Sequence, residues 1–364
     1  MLYSPQAHEA LLDDPWDAGH ARSAIAAIAS DAEKAFDDGW PIHPLDRADE
    51  DTERPRFLYF GGVGVVDALT RLARRGSVEL RRDYVPYLEQ SIGADPDFPA
   101  EDHRRSFWCG DTGARLVLQR VAPSAANLDR LAELVTANAE DPRCELMWGS
   151  PGTIIVGREL GLDVTPSLGW LRARRDEDGL WLQQLYGRSN RWIGAGHGFA
   201  GCVLALGDPG NVSETLRRLA VWEDSLVNWP PVAGMALDDS GDGLIRTQWC
   251  HGAPGIVATI GAVLDEDLAL AGAELTWRAG PLVKGPGLCH GTAGNGYALL
   301  ELYARTGDEL WLERARSFAM HAIAQVEAAR AEYGRGRYSL WTGDPGVALY
   351  LADCVDGAGK LPLP

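Results

Sequence analysis

Apolar residues recur along the chain at helical spacing, and the stretches that carry them alternate between two kinds. One kind is amphipathic. Residues 125 to 138 (AANLDRLAELVTAN) and 309 to 328 (ELWLERARSFAMHAIAQVEA) place their apolar side chains on one stripe with charges elsewhere, as does the series Ala24, Ile25, Ala27, Ile28 and Ala32 near the start. The other kind follows a pair of glycines with apolar residues at helical spacing, such as Ile256, Val257 and Ile260, or Val347, Leu349 and Tyr350. The pairs are Gly61/Gly64, Gly110/Gly113, Gly149/Gly152, Gly198/Gly201, Gly252/Gly255, Gly291/Gly294 and Gly343/Gly346, with first glycines 49, 39, 49, 54, 39 and 52 residues apart. That period holds two helices and their connections.

With 42 glycines in 364 residues, about five such pairs arise by chance, so the apolar run after each of the seven turns is what marks a repeat. Glycine ahead of a helix permits positive φ and close backbone approach, so each unit can turn sharply inward. Seven inner helices starting near one axis, each with an outer partner, predict an all-α fold: an α/α toroid, a double-layered barrel of seven helix pairs. An open solenoid of stacked pairs is the alternative. The expected organisation is a single domain over 1–364, with an N-terminal helical segment at 1–54, glycine-turn repeats at 55–354 and a tail at 355–364. Residues 178 to 186 (DGLWLQQLY) predict a short extended piece, and Gly207/Gly210, followed by polar NVSET, predict a different helix capped at Ser213.

Composition narrows the function. Acidic residues number 52 against 34 basic, a formal charge of −18, which argues against binding nucleic acid or an anionic membrane. No window approaches 18 consecutive apolar residues and the N-terminus has no signal-peptide pattern, so a cytoplasmic protein without a transmembrane segment is expected. Six cysteines spread over so long a chain fit metal binding or free thiols better than a disulfide framework. Cys144, Cys202 and Cys354 read as small buried apolar residues, and Cys109 reads the same way before it reads as a reactive thiol.

Aligning the turns on their first glycine puts Tyr59, Trp108, Met147, Gly196, Cys250, Cys289 and Trp341 at one equivalent position. Cys250 and Cys289 thus sit at matching places in consecutive units and are set to share a soft or borderline metal. The next residue is His197, His251 or His290 in the three central units. An irregular turn through Gly285, Pro286, Gly287 and Gly291 lets Cys289 and His290 face one ion, so the ligand set is Cys250, Cys289 and His290. Three protein ligands leave a fourth position open, the catalytic pattern for Zn2+, and a coordinated thiol ionises outright.

With WCHG at 249–252 and CHG at 289–291, the chain from about Phe57 to Asp353 resembles the lanthionine synthetase C-like (LanC-like) family. The histidine after Cys250 is closer to the eukaryotic-type, glutathione-binding branch than to the lantibiotic cyclases. The resemblance implies zinc-dependent addition of a thiol, either glutathione or a peptide cysteine, to dehydroalanine or dehydrobutyrine in a peptide or protein, forming a thioether. A separate dehydratase or kinase would supply the electrophile. The resemblance further implies that His197 is an acid or base, that Glu145 is a site carboxylate, with a surface or helix-capping role as its alternative, and that Arg246 steadies an enolate. By the same likeness Lys284, with Arg335 or Arg337, contacts glutathione. Thr342 stands where relatives carry a glutamate, a departure in that part of the pocket. His251, next to a ligand, reads either as its support or as a structural histidine. The alternative function is a non-catalytic zinc-containing protein that binds glutathione or a peptide; a zinc prenyltransferase or glycoside hydrolase on a similar toroid is disfavoured by the adjacent Cys-His pair.

Overall fold

The computed structural model describes residues 1–46, 53–97, 104–207, 210–239 and 241–364. Among them the chain forms fourteen α-helices and two short hairpins. Seven helices begin at the glycine turns: α2 (Gly62–Arg74), α4 (Asp111–Val121), α6 (Ser150–Glu159), α8 (Phe199–Leu206), α10 (Ala253–Ile260), α12 (Thr292–Thr306) and α14 (Asp344–Asp356). They are buried nearly all round; in α12 every residue from Thr292 to Leu300 is buried. The seven between them are α1 (Ala18–Ala35), α3 (Val85–Ser91), α5 (Ala125–Ala137), α7 (Thr165–Ala173), α9 (Val212–Leu219), α11 (Glu266–Ala279) and α13 (Glu309–Tyr333). These bury one stripe only: in α5, Leu131, Leu134 and Val135 face inward while Asp129, Arg130 and Glu133 face solvent.

Each inner helix packs on the next, and α14 packs on α2, so the ring closes and the open solenoid is excluded. Backbone bonds between successive turns hold the glycine end of the ring together. Tyr59 N–H donates to Trp108 O (3.0 Å), Trp108 to Met147 O (3.3 Å), Leu146 to Gly196 O (3.2 Å), Cys250 to Cys289 O (3.0 Å), Cys289 to Trp341 O (2.7 Å) and Trp341 to Tyr59 O (3.2 Å). Within these turns the buried indoles of Trp108 and Trp249 each lie 4.5 Å from that of Trp341, ring centre to ring centre.

The glycines serve close approach more than unusual dihedrals. A Cβ on the second glycine of every turn would fall within 2.6 Å of the carbonyl oxygen six residues earlier, at 1.6 Å for Gly255 against Trp249 O and 1.7 Å for Gly294 against Leu288 O. Of the first glycines, which cap the inner helices, only Gly252 has positive φ, at 102°. The expectation of a general positive-φ device is corrected accordingly: the other six caps lie on the negative-φ side, between −88° and −172°.

Three further details differ from expectation. The extended piece is only β1 (Gln183–Leu185), paired antiparallel with β2 (Arg188–Asn190). A second hairpin, β3 (Val221–Glu223) with β4 (Leu226–Asn228), is too short to show an alternating pattern. Helix α9 is capped at Asn211, not Ser213, whose Oγ instead accepts the Asp265 N–H at 2.8 Å. Helix α1 packs against α14 and α13, within the outer layer of the ring.

Candidate functional site

The turns ahead of α10 and α12 bring three side chains together. Cys250, Cys289 and His290 each offer a ligand atom, and all three atoms lie within 4.8 Å of one another. Both cysteines are buried and His290 is half-buried. The turn carrying the adjacent pair is tied back on itself: Thr292, Ala293 and Gly294 donate N–H bonds to the carbonyls of Gly285, Pro286 and Gly287 (3.0, 3.0 and 3.3 Å). That irregular path, with φ of 108° at Gly285, lets neighbours in sequence face one point.

The chemistry of this donor set fits a zinc ion. Hydrogen bonding from Cys289 holds the Cys250 thiol well below its usual pKa, and Gln248 Nε2–H also donates to Cys250 Sγ at 2.9 Å. The resulting anion and burial push the Cys289 thiol well above the usual range. Two thiols that cannot both ionise unaided, packed with an imidazole, form a site whose charge is relieved by a divalent cation. The Tyr59 hydroxyl hydrogen-bonds to Cys289; burial and that neighbouring thiol push the phenol far up, so it is a donor.

Beside this cluster stands His197, ahead of α8. Its Nδ1 is 2.8 Å from Glu145 Oε2. Glu145 is fully buried and also accepts the backbone N–H groups of Met147 (3.0 Å), Trp148 and Gly149 (3.1 Å), so one carboxylate both caps the start of α6 and orients the histidine. Burial lowers the His197 pKa, but the hydrogen bond and charge of Glu145 outweigh it and the net shift is upward. The His251 ring lies 6.3 Å from that of His197; burial pushes its pKa down to about 4, and its Nδ1 has no partner among the described residues.

The other expected residues divide. Lys284 lines a cavity of about 660 Å³ together with His290, His43, Tyr333 and Arg337. Arg337 is 9% exposed and its guanidinium is paired with Asp46, Nε to Oδ2 at 2.8 Å. Arg335 donates to Ile42 O at 2.9 Å and is not part of that lining. Arg246 pairs with Asp242 at 2.7 Å, although its charge, like that of Lys284, is felt at His251. Sequence reasoning passed over Tyr59 and Gln248 as partners of the thiols. Tyr59 was findable, since it occupies the position equivalent to the two cysteines; nothing in the turn marks Gln248.

Residues 55–361 match the lanthionine synthetase C-like protein family. The glutathione S-transferase LANCL1 of Danio rerio is 32% identical over 202 residues, 49% of this chain and 45% of that protein. The LanC-like protein GCL1 of Arabidopsis thaliana is 33% identical over 185 residues, 45% of this chain and 41% of that protein. The alignments thus span less than half the length of these curated relatives. Among solved structures, nisin cyclase superposes with a TM-score of 0.59 at 15% identity, covering 93% of this chain and 94% of that one, which shows a shared toroidal fold.

Proposed function

The chain belongs to the lanthionine synthetase C-like family, and from that premise we propose that it is a zinc-dependent enzyme that adds a thiol to dehydroalanine or dehydrobutyrine to form a thioether. The observation that carries the proposal is the convergence of Cys250, Cys289 and His290 beside His197. These three residues would hold the zinc ion, which supplies the Lewis acidity that makes a substrate thiol a nucleophile at neutral pH.

The remaining chemistry falls to the chain's own side chains. His197 takes the thiol proton, and the Glu145 carboxylate stabilises the imidazolium that results. Sulfur bonds to the β-carbon as the C=C π bond opens toward the carbonyl. His197 then returns the proton to the α-carbon, so that S–H has been added across C=C with no oxidant or reductant. Arg246 steadies the enolate oxygen by turning from Asp242, with which it is paired in the structure. Lys284 and Arg337, on the cavity beside His290, engage the carboxylates of the thiol substrate; Arg335 supports the wall through Ile42.

Glutathione as the thiol is supported by the name of the Danio rerio relative, and a peptide cysteine is the other candidate of the same chemistry. A separate dehydratase or kinase would generate the unsaturated residue. Six buried cysteines, none paired, favour a cytoplasmic setting, and among the described residues no helix is long and apolar enough to cross a membrane.

The test is mass spectrometry of a dehydroalanine peptide incubated with zinc-loaded protein and glutathione. The expected product carries the mass of one added glutathione at a rate above the uncatalysed background. Glutathione binding without any such product would replace this proposal with a non-catalytic binding protein.

A further inference from the structure

The β1–β2 hairpin closes through a two-residue turn, Tyr186 and Gly187, after the pair Leu185 and Arg188. Both turn residues have left-handed backbones, with φ of 52° and 70°. This is the pattern of a type I′ turn, whose first position favours Asn, Asp or Gly because a larger side chain crowds the backbone there. The second hairpin obeys the preference, with Asp224 at φ 54°. Tyrosine does not, and strain of this kind persists only where the surrounding structure holds it, most often at active sites and ligand clamps.

Burial does not account for the tyrosine, because Tyr186 is 60% exposed. Its ring instead meets His197 edge to face, with centroids 6.1 Å apart and planes at 79°. It stands on the His197 side of the site, outside the lining of the cavity that holds Lys284, Arg337 and His290. A strained turn therefore holds an exposed flat ring against the proton-transferring histidine, outside the cavity proposed for the thiol substrate.

We infer that Tyr186 is a specificity-determining residue for the electrophile, packing its ring against the planar C=C–C=O unit of the dehydroamino acid while His197 serves the α-carbon. The inference rests on the thiol-addition reading of the site. A flat conjugated unit can lie on an aromatic ring, whereas the tetrahedral α-carbon of the product or of an alanine residue cannot, so the ring also discriminates substrate from product.

Two variants test it. Tyr186→Asn suits the left-handed position and removes the ring; Tyr186→Phe keeps the ring. The expected result for Tyr186→Asn is an unchanged or higher Tm, an unchanged KM for glutathione, and a KM for a dehydroalanine peptide raised roughly three- to tenfold, the size of one aromatic contact. Tyr186→Phe should match the wild type. A peptide KM that does not move, a parallel rise in both KM values, a lowered Tm, or a Phe variant as impaired as the Asn variant overturns the inference. Should the wild type form no thioether, titration with the dehydroalanine peptide and its alanine counterpart still decides. Tighter binding of the unsaturated peptide by the wild type, lost in Tyr186→Asn, sustains the role of Tyr186; equal binding of the two peptides by the wild type overturns it.

Discussion

Replacing His197 by asparagine lowers kcat for thioether formation by roughly two to four orders of magnitude, the usual contribution of a positioned acid–base group, and leaves zinc content unchanged. Asparagine is the informative choice because its amide N–H can still donate to Glu145, whose buried carboxylate also anchors the Met147 and Gly149 N–H groups. The α6 turn therefore keeps its cap and the loss reads out proton transfer. The wild-type histidine is suited to that work: burial alone would keep it neutral, and Glu145 more than offsets burial, so the imidazolium formed on accepting a thiol proton is stabilised where it forms. Steady-state kinetics paired with metal analysis checks this. A kcat within about tenfold of wild type, below the range such groups contribute, would remove His197 from the chemistry, and a parallel loss of zinc would make its role structural.

Alanine at Cys289 or at Cys250 should lower zinc affinity by roughly two to three orders of magnitude, one ligand's share of the binding energy of such sites, and abolish product formation. The ring itself should survive, because the joint between these turns is the backbone bond from Cys250 N–H to Cys289 O, which is indifferent to the side chain. Metal analysis after gel filtration, with thermal unfolding alongside, separates loss of metal from loss of fold. Cys109→Ala, a buried cysteine outside the cluster, is the matched control and should retain zinc. Near-stoichiometric zinc in Cys289→Ala would defeat the ligand assignment.

The toroid and the ligand cluster were legible in the chain because both are written as repeats. The second glycine of each turn recurs because a Cβ there would strike the carbonyl six residues back, and that contact is the same in all seven units. Cys250 and Cys289 stood out because equivalent places in adjacent units become neighbours in a closed ring, and His290 followed from the irregular turn. What depends on distant pairing was hidden. Arg337 and Arg335 looked alike in their loop, yet one is paired with Asp46 and the other with the Ile42 carbonyl, partners nearly three hundred residues away that no local pattern encodes. Glu145 read as either a cap or a site carboxylate; it caps the start of α6 and also holds His197, since one buried carboxylate has enough acceptor sites for three N–H groups and an imidazole. Of the hairpin strands only β1 was foreshadowed, by the extended piece at 178–186; the other three escaped notice because strands of three residues are too short to show a period.

The central claim is that Cys250, Cys289 and His290 hold one zinc ion with a position left for a substrate thiol, and X-ray absorption spectroscopy at the zinc edge tests it directly. The predicted result is a first shell of two sulfur and two lighter ligands in the resting protein, gaining one sulfur when glutathione is added. A zinc shell without sulfur, or one that glutathione leaves unchanged, would contradict it.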